Sequence, residues 1–72
     1  MFTKAVAQDG HTRRFTIGEA GSLGWELSVE EDGVVVEKVA YTDWHRVERA
    51  LRTIADRISR LEAVGWRETR TA

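Results

Sequence analysis

The stretch that most limits what this chain can become is Thr42 to Val64, TDWHRVERALRTIADRISRLEAV. Trp44, Val47, Leu51, Ile54, Ile58 and Leu61 recur at three- and four-residue steps. At about 100° per residue they share one side with Ala50 and Ala55, which predicts a helix with one face turned to a core. Thr42 and Asp43 carry short side-chain oxygens that can accept from the first free backbone N–H groups, so the start is marked. Gly65 suits the left-handed position just past the end, and Trp66 can fold back on Leu61, the apolar contact that accompanies such a cap.

A helix with one apolar face needs a partner layer, and the residues before it read as strands. WELSVEEDGVVVEKVAY is a β-hairpin signal with Asp32-Gly33 at its tip, since both positions accept positive φ at low cost. Taking those two as the turn pairs Glu31 with Val34, Val29 with Val36, Leu27 with Lys38 and Trp25 with Ala40. Trp25, Leu27, Val29, Val34, Val36 and Ala40 then face the helix, while Val35, Glu37, Val39 and Tyr41 face outward with Glu26, Ser28 and Glu30. Thr12 to Ile17, TRRFTI, alternates as a half-buried strand with Phe15 and Ile17 on one side. Asp9-Gly10 is a second hairpin signal, and a strand before it would set Phe2 across from Ile17 and Lys4 across from Phe15.

The expected fold is therefore α+β, an antiparallel meander of three or four strands packed on one C-terminal helix. Residues 1–11 read as an edge strand or a mobile arm, 12–66 as the single domain and 67–72 as a solvated tail. About 22 helical residues span roughly 33 Å, against about 23 Å for a seven-residue strand. Ile58, Leu61 and Val64 are thus expected to overhang the sheet, covered by a diagonal crossing, by the N-terminal segment with Trp66, or by a second copy of the helix.

Seventy-two residues without cysteine hold one small core and no disulfide or thiolate metal site, so self-association is the expected supplement to stability. A net charge of −1 gives no general attraction to nucleic acid, and any anion site must be local. No apolar run reaches the roughly 18 residues of a membrane span, and no secretion-signal pattern opens the chain. A cytoplasmic location is expected.

Arg46, Arg49, Thr53, Arg57 and Arg60 fall in one arc beside the apolar side of the helix, with no acid inside it. With Tyr41 and His45 near the helix start, these arginines form the candidate contact for an anion or a nucleic-acid backbone. Asp43 weighs against an anion at the helix terminus itself, because a carboxylate there already offsets the dipole. Val35, Val39 and Tyr41 on the outer sheet face, and Ile58 and Leu61 on the overhang, form the candidate interface. Catalysis is not expected: Asp43 and His45 lie two apart on a helix and point different ways, and no triad or metal-ligand spacing occurs. GEAGSLG matches neither a Walker loop nor a dinucleotide fingerprint, so no cofactor or metal is expected.

The stretch GWELSVEEDGVVVEKVAYTDWHRVERA, with a helix ending near LEAVGW, resembles a group of short bacterial proteins of unassigned function that share a GWE…YTDWHRVER pattern. The resemblance implies no activity, cofactor or catalytic residue. In topology alone the chain is similar to the PC4-like single-strand-binding class, whose domains dimerise and grip nucleic acid with strand residues. It departs from that class in carrying Glu26, Glu30 and Glu37 where a backbone-binding face would want lysine and arginine. The expected function is a non-enzymatic interaction module, homodimeric and binding another protein. The alternative is a small nucleic-acid-binding protein that uses the arginine stripe, with Tyr41 and Trp44 for stacking.

Overall fold

Two Asp-Gly turns set two of the chain reversals in the sheet. Asp9 and Gly10 sit at φ 52° and 81°, and Asp32 and Gly33 at 54° and 83°, the paired left-handed geometry of a tight two-residue hairpin. The computed structural model describes residues 2–69. In chain order it contains β1 (Phe2–Gln8), β2 (His11–Glu19), a 3-10 turn at Gly21–Leu23, β3 (Trp25–Glu31), β4 (Val34–Tyr41), α1 (Trp44–Ala63) and β5 (Arg67–Thr69). The strands form one antiparallel five-stranded sheet in the order β4-β3-β2-β1-β5, with α1 lying across one face.

The core is a single cluster between the layers. Val6, Phe15, Ile17, Leu27 and Val29 come from the sheet, and Val47, Ala50, Ile54 and Ile58 from α1. Each fully buried Val, Ile or Phe side chain contributes about 1.5–3 kcal/mol relative to exposure. Asp43 is the N-cap, its Oδ1 accepting from the His45 N–H at 2.9 Å. The helix ends in two reverse hydrogen bonds, Gly65 N–H to the Glu62 carbonyl at 3.2 Å and Trp66 N–H to the Leu61 carbonyl at 3.0 Å. That pattern requires the left-handed residue in between, and Gly65 supplies it at φ 107°. Trp25 and Trp44 close the N-terminal end with an edge-to-face contact, ring centroids 5.2 Å apart. Ala55, at the margin of the apolar stripe, is exposed.

The β1–β2 register has Phe2 opposite Ile17 and Lys4 opposite Phe15, as the Asp9-Gly10 turn predicts. The β3–β4 register departs from its expectation. Glu31 pairs with Val34 and Glu30 with Val35, but Val29 then pairs with Glu37, leaving Val36 as an extra residue in a β-bulge. One inserted residue turns every later side chain to the opposite face. Leu27 therefore pairs with Val39 and Trp25 with Tyr41, and both Val39 and Tyr41 pack against the core instead of facing outward. Val34, Val35 and Val36 are all exposed, and so is Ala40. The physical gain is clear: the slip exchanges Lys38 and Ala40 for Val39 and Tyr41 on the covered face.

The segment after the helix also departs from expectation. Arg67–Thr69 forms β5, which pairs with β1 through Ala5 and Thr69, Val6 and Glu68, and Ala7 and Arg67. Residues 70–72, the remainder of the expected tail, lie outside the described residues. β1 is thus an interior strand, neither an edge nor an arm. The Lys4 ammonium, on the helix side, meets Glu68 at 3.1 Å.

This extra strand resolves the length mismatch of the helix. α1 touches β4, β1 and β5, so it spans the sheet from one edge to the other. Ile58 is buried, and Leu61 and Trp66 pack against the core. Ile58 and Leu61 thus leave no apolar overhang for a second copy of the helix to cover, whereas Val64, at the helix end, is 68% exposed. Among the described residues, no helix is long and apolar enough to cross a membrane.

Candidate anion-binding cleft between the helix and the open sheet edge

Where α1 leaves the β4 edge, the two layers diverge into a cleft of about 320 Å³. Leu27, Ala50 and Ile54 form an apolar floor, and Tyr41, Arg46, Arg49 and Arg57 stand at its rim. The remaining walls are Glu37 and Thr53. The helix places the arginines: Arg46, Arg49 and Arg57, with Thr53 between the last two, succeed one another along one flank of the apolar stripe. The bulge places Tyr41 and Glu37, because without the extra residue at Val36 both would lie on the far side of the sheet.

The three cleft arginines are not equivalent. Arg57 is engaged, its Nη1 lying 3.3 Å from Glu37 Oε2 and its guanidinium carbon 5.2 Å from the centre of the Phe15 ring. Arg46 and Arg49 form no ion pair among the described residues. Three guanidiniums against one carboxylate leave the cleft with an excess of two positive charges. An arginine head presents a planar fork of N–H donors suited to carboxylate or phosphate.

Two residues of the predicted anion set stand apart from this cleft. Arg60 points to solvent and pairs with Asp56 at 3.0 Å, one turn back on the same helix. His45 is exposed, with Nδ1 4.0 Å from Glu48, and lines a separate shallow depression with Glu48, Arg49 and Arg52. Arg49 borders both hollows. The predicted interface set is divided as well. Val39 and Tyr41 lie on the helix side, Ile58 and Leu61 belong to the core layer, and Val35 alone remains on the outer face.

That outer face is polar. The register aligns Thr3, Thr16, Ser28 and Lys38 in one row across four strands, and Arg14 lies opposite Glu30 in the next. Glu26 and Lys38 approach to 3.7 Å. Glu37, which the regular hairpin register would put on this face, is instead a wall of the cleft. The signal that could have moved it was the pair Val39 and Tyr41, two large apolar residues that a regular register leaves in water.

A second cluster joins the two hairpin turns. His11 Nδ1 lies 3.0 Å from Asp32 Oδ2, and Asp32 Oδ1 accepts from the Thr12 N–H at 2.9 Å. The hydrogen bond to Asp32, then its negative charge, raises the His11 pKa above its usual 6.5. The same bond, with that from Thr12, holds the Asp32 carboxyl below its usual 3.8. Both side chains are exposed and brace the turns. Among the described residues there is no group of three histidine, cysteine, aspartate or glutamate side chains able to hold a metal ion.

Comparison of the chain with protein-family models, with curated proteins and with solved structures returns no match, so the geometry of this cleft is what bears on function.

Proposed function

We propose that the protein is a small non-enzymatic binding module that holds an acidic segment of another protein in the arginine-lined cleft. The observation that carries this reading is the pair Arg46 and Arg49, two guanidiniums without ion partners among the described residues, beside an apolar floor. Arginine and tyrosine beside a small apolar recess are the residue types that dominate binding energy at protein interfaces. The cleft supplies hydrogen-bond donors, and among its described lining residues the one carboxylate, Glu37, is tied to Arg57.

An acidic partner fits better than a nucleic-acid backbone. A backbone needs a run of cations, and here Arg57 and Arg60 are each matched by an acid of this chain. Of the interface expected from the sequence, Val39, Tyr41, Ile58 and Leu61 already serve the core of one chain, and Val35 alone stays exposed.

The test is titration of a fluorescently labelled acidic peptide, and separately of single-stranded DNA, at low and moderate salt. Peptide binding that falls by tenfold or more in Arg46→Glu/Arg49→Glu, about 1.4 kcal/mol, supports the reading. Both residues are exposed, so the variant keeps its circular dichroism spectrum and melting temperature. Preferential DNA binding with a steep salt dependence overturns it, as does no peptide binding at low salt.

A further inference from the structure

β4 is the terminal strand of the sheet, so one side of its backbone has no strand beside it among the described residues. Such a row of free N–H and C=O groups is a template for an added strand. The bulge at Val36 interrupts the row and confines its regular part to Glu37 through Tyr41. Within that part Glu37, Val39 and Tyr41 face the helix side, and Lys38 and Ala40 face outward. The cleft with Arg46 and Arg49 opens along this same stretch, since Glu37 and Tyr41 are two of its walls.

Resting on the reading above that the cleft receives an acidic segment, we infer that this segment is seated as a sixth strand along Glu37–Tyr41 and carries carboxylates at alternate positions. Side chains two apart on a strand point to the same face about 6.6–6.8 Å apart. Residues three apart on a helix have their Cβ atoms about 5–6 Å apart, so two alternating carboxylates match Arg46 and Arg49 within the reach of a guanidinium. The residue between them points to the outer face beside Lys38, which accepts a polar or acidic side chain. Main-chain hydrogen bonds to β4 supply affinity, and the alternation supplies selectivity.

A second copy of this chain is the wrong occupant. Antiparallel self-pairing about Glu37 sets two glutamates opposite each other, and about Lys38 two lysines, both destabilising cross-strand pairs. Pairing about Val39 avoids that but brings two clefts together, each with an excess of positive charge. A foreign strand whose carboxylates lie opposite Val39 and Tyr41, with an uncharged residue opposite Glu37, meets neither obstacle.

The test uses the full chain, labelled with ¹⁵N, and three short synthetic peptides of equal charge. In the first, glutamates alternate with valine and threonine; in the second, the same residues are rearranged so that the glutamates are adjacent. The third is the first with alternate backbone amides N-methylated. The alternating peptide is expected to bind most tightly and to slow amide exchange at Glu37–Tyr41. N-methylation should weaken it by about tenfold, the loss of one or two net hydrogen bonds. Equal affinity for all three with no added protection on β4 overturns strand addition while leaving the acidic-partner reading intact. Failure of every acidic peptide to bind at low salt overturns both.

Discussion

Asp32, in the turn of the second hairpin, grips His11, in the mouth of the first, through Nδ1 and Oδ2 at 3.0 Å. The clasp has a definite pH window. The raised His11 pKa means its contribution is complete below the unfolded value near 6.5 and is lost as pH rises through the folded value. The lowered Asp32 pKa means its contribution is present above about 3.8 and is lost as pH falls through the folded value. The bond is therefore strongest between those two ordinary values. NMR titration of the imidazole should show the His11 pKa falling back toward 6.5 in Asp32→Asn. An unchanged value would mean that the charge of Asp32 is not what raises it.

The core variants should separate by depth. Ile54 is 1% exposed and Leu51 only partly buried, so Ile54→Ala should cost about 2–5 kcal/mol and Leu51→Ala less. Urea denaturation followed by tryptophan emission measures both. In a domain of this size the larger loss leaves a substantial unfolded population at room temperature.

Replacement of β4 valines tests the bulge. Val39 packs against the core and Val35 is 52% exposed, so Val39→Lys should destabilise by about 1–3 kcal/mol and Val35→Lys by no more than about 0.5 kcal/mol. A regular hairpin register would equalise them, with both on the open face. Thermal melts of the two single variants decide between these registers.

The turn after α1 offers a backbone test. Gly65 lies at φ 107°, and a Cβ there would also press on the Gln8 side chain, whose Nε2 donates to the Val64 carbonyl at 2.9 Å. Gly65→Val should lower the melting temperature by several degrees and release Trp66, which stacks under the Arg13 guanidinium at 5.2 Å. Gly24→Ala should be costly for a different reason, since its methyl would meet the Tyr41 carbonyl oxygen. A red-shifted tryptophan emission in the first variant checks the release of the ring.

The helix was legible because one long periodic stretch carries its own stop and start marks, and the structure places its ends within two residues of the expected ones. The β1–β2 register was legible because a two-residue turn fixes pairing without reference to the rest of the fold. The bulge was not, since Val34, Val35 and Val36 present no alternation from which to count. Nor was β5, whose Arg67, Glu68 and Thr69 are polar and gain their place by backbone pairing to β1. Of the arginine stripe, Arg46, Arg49 and Arg57 come together as a helical wheel brings them. Arg60 leaves the set because Asp56 sits one turn behind it, a contact that a wheel sorted by flank does not show.

The pairing of β5 with β1 has a consequence for the order in which the molecule assembles. Thr69 donates to the carbonyl of Ala5 across 64 positions of chain, whereas each hairpin closes over a handful. Loop-closure entropy makes such a distant contact late to form and early to open. The two hairpins and the helix can condense first, leaving Lys4 and Val6 on a bare margin until the returning strand seals it. Stretching the molecule by its two ends would peel that strand away before anything else yields.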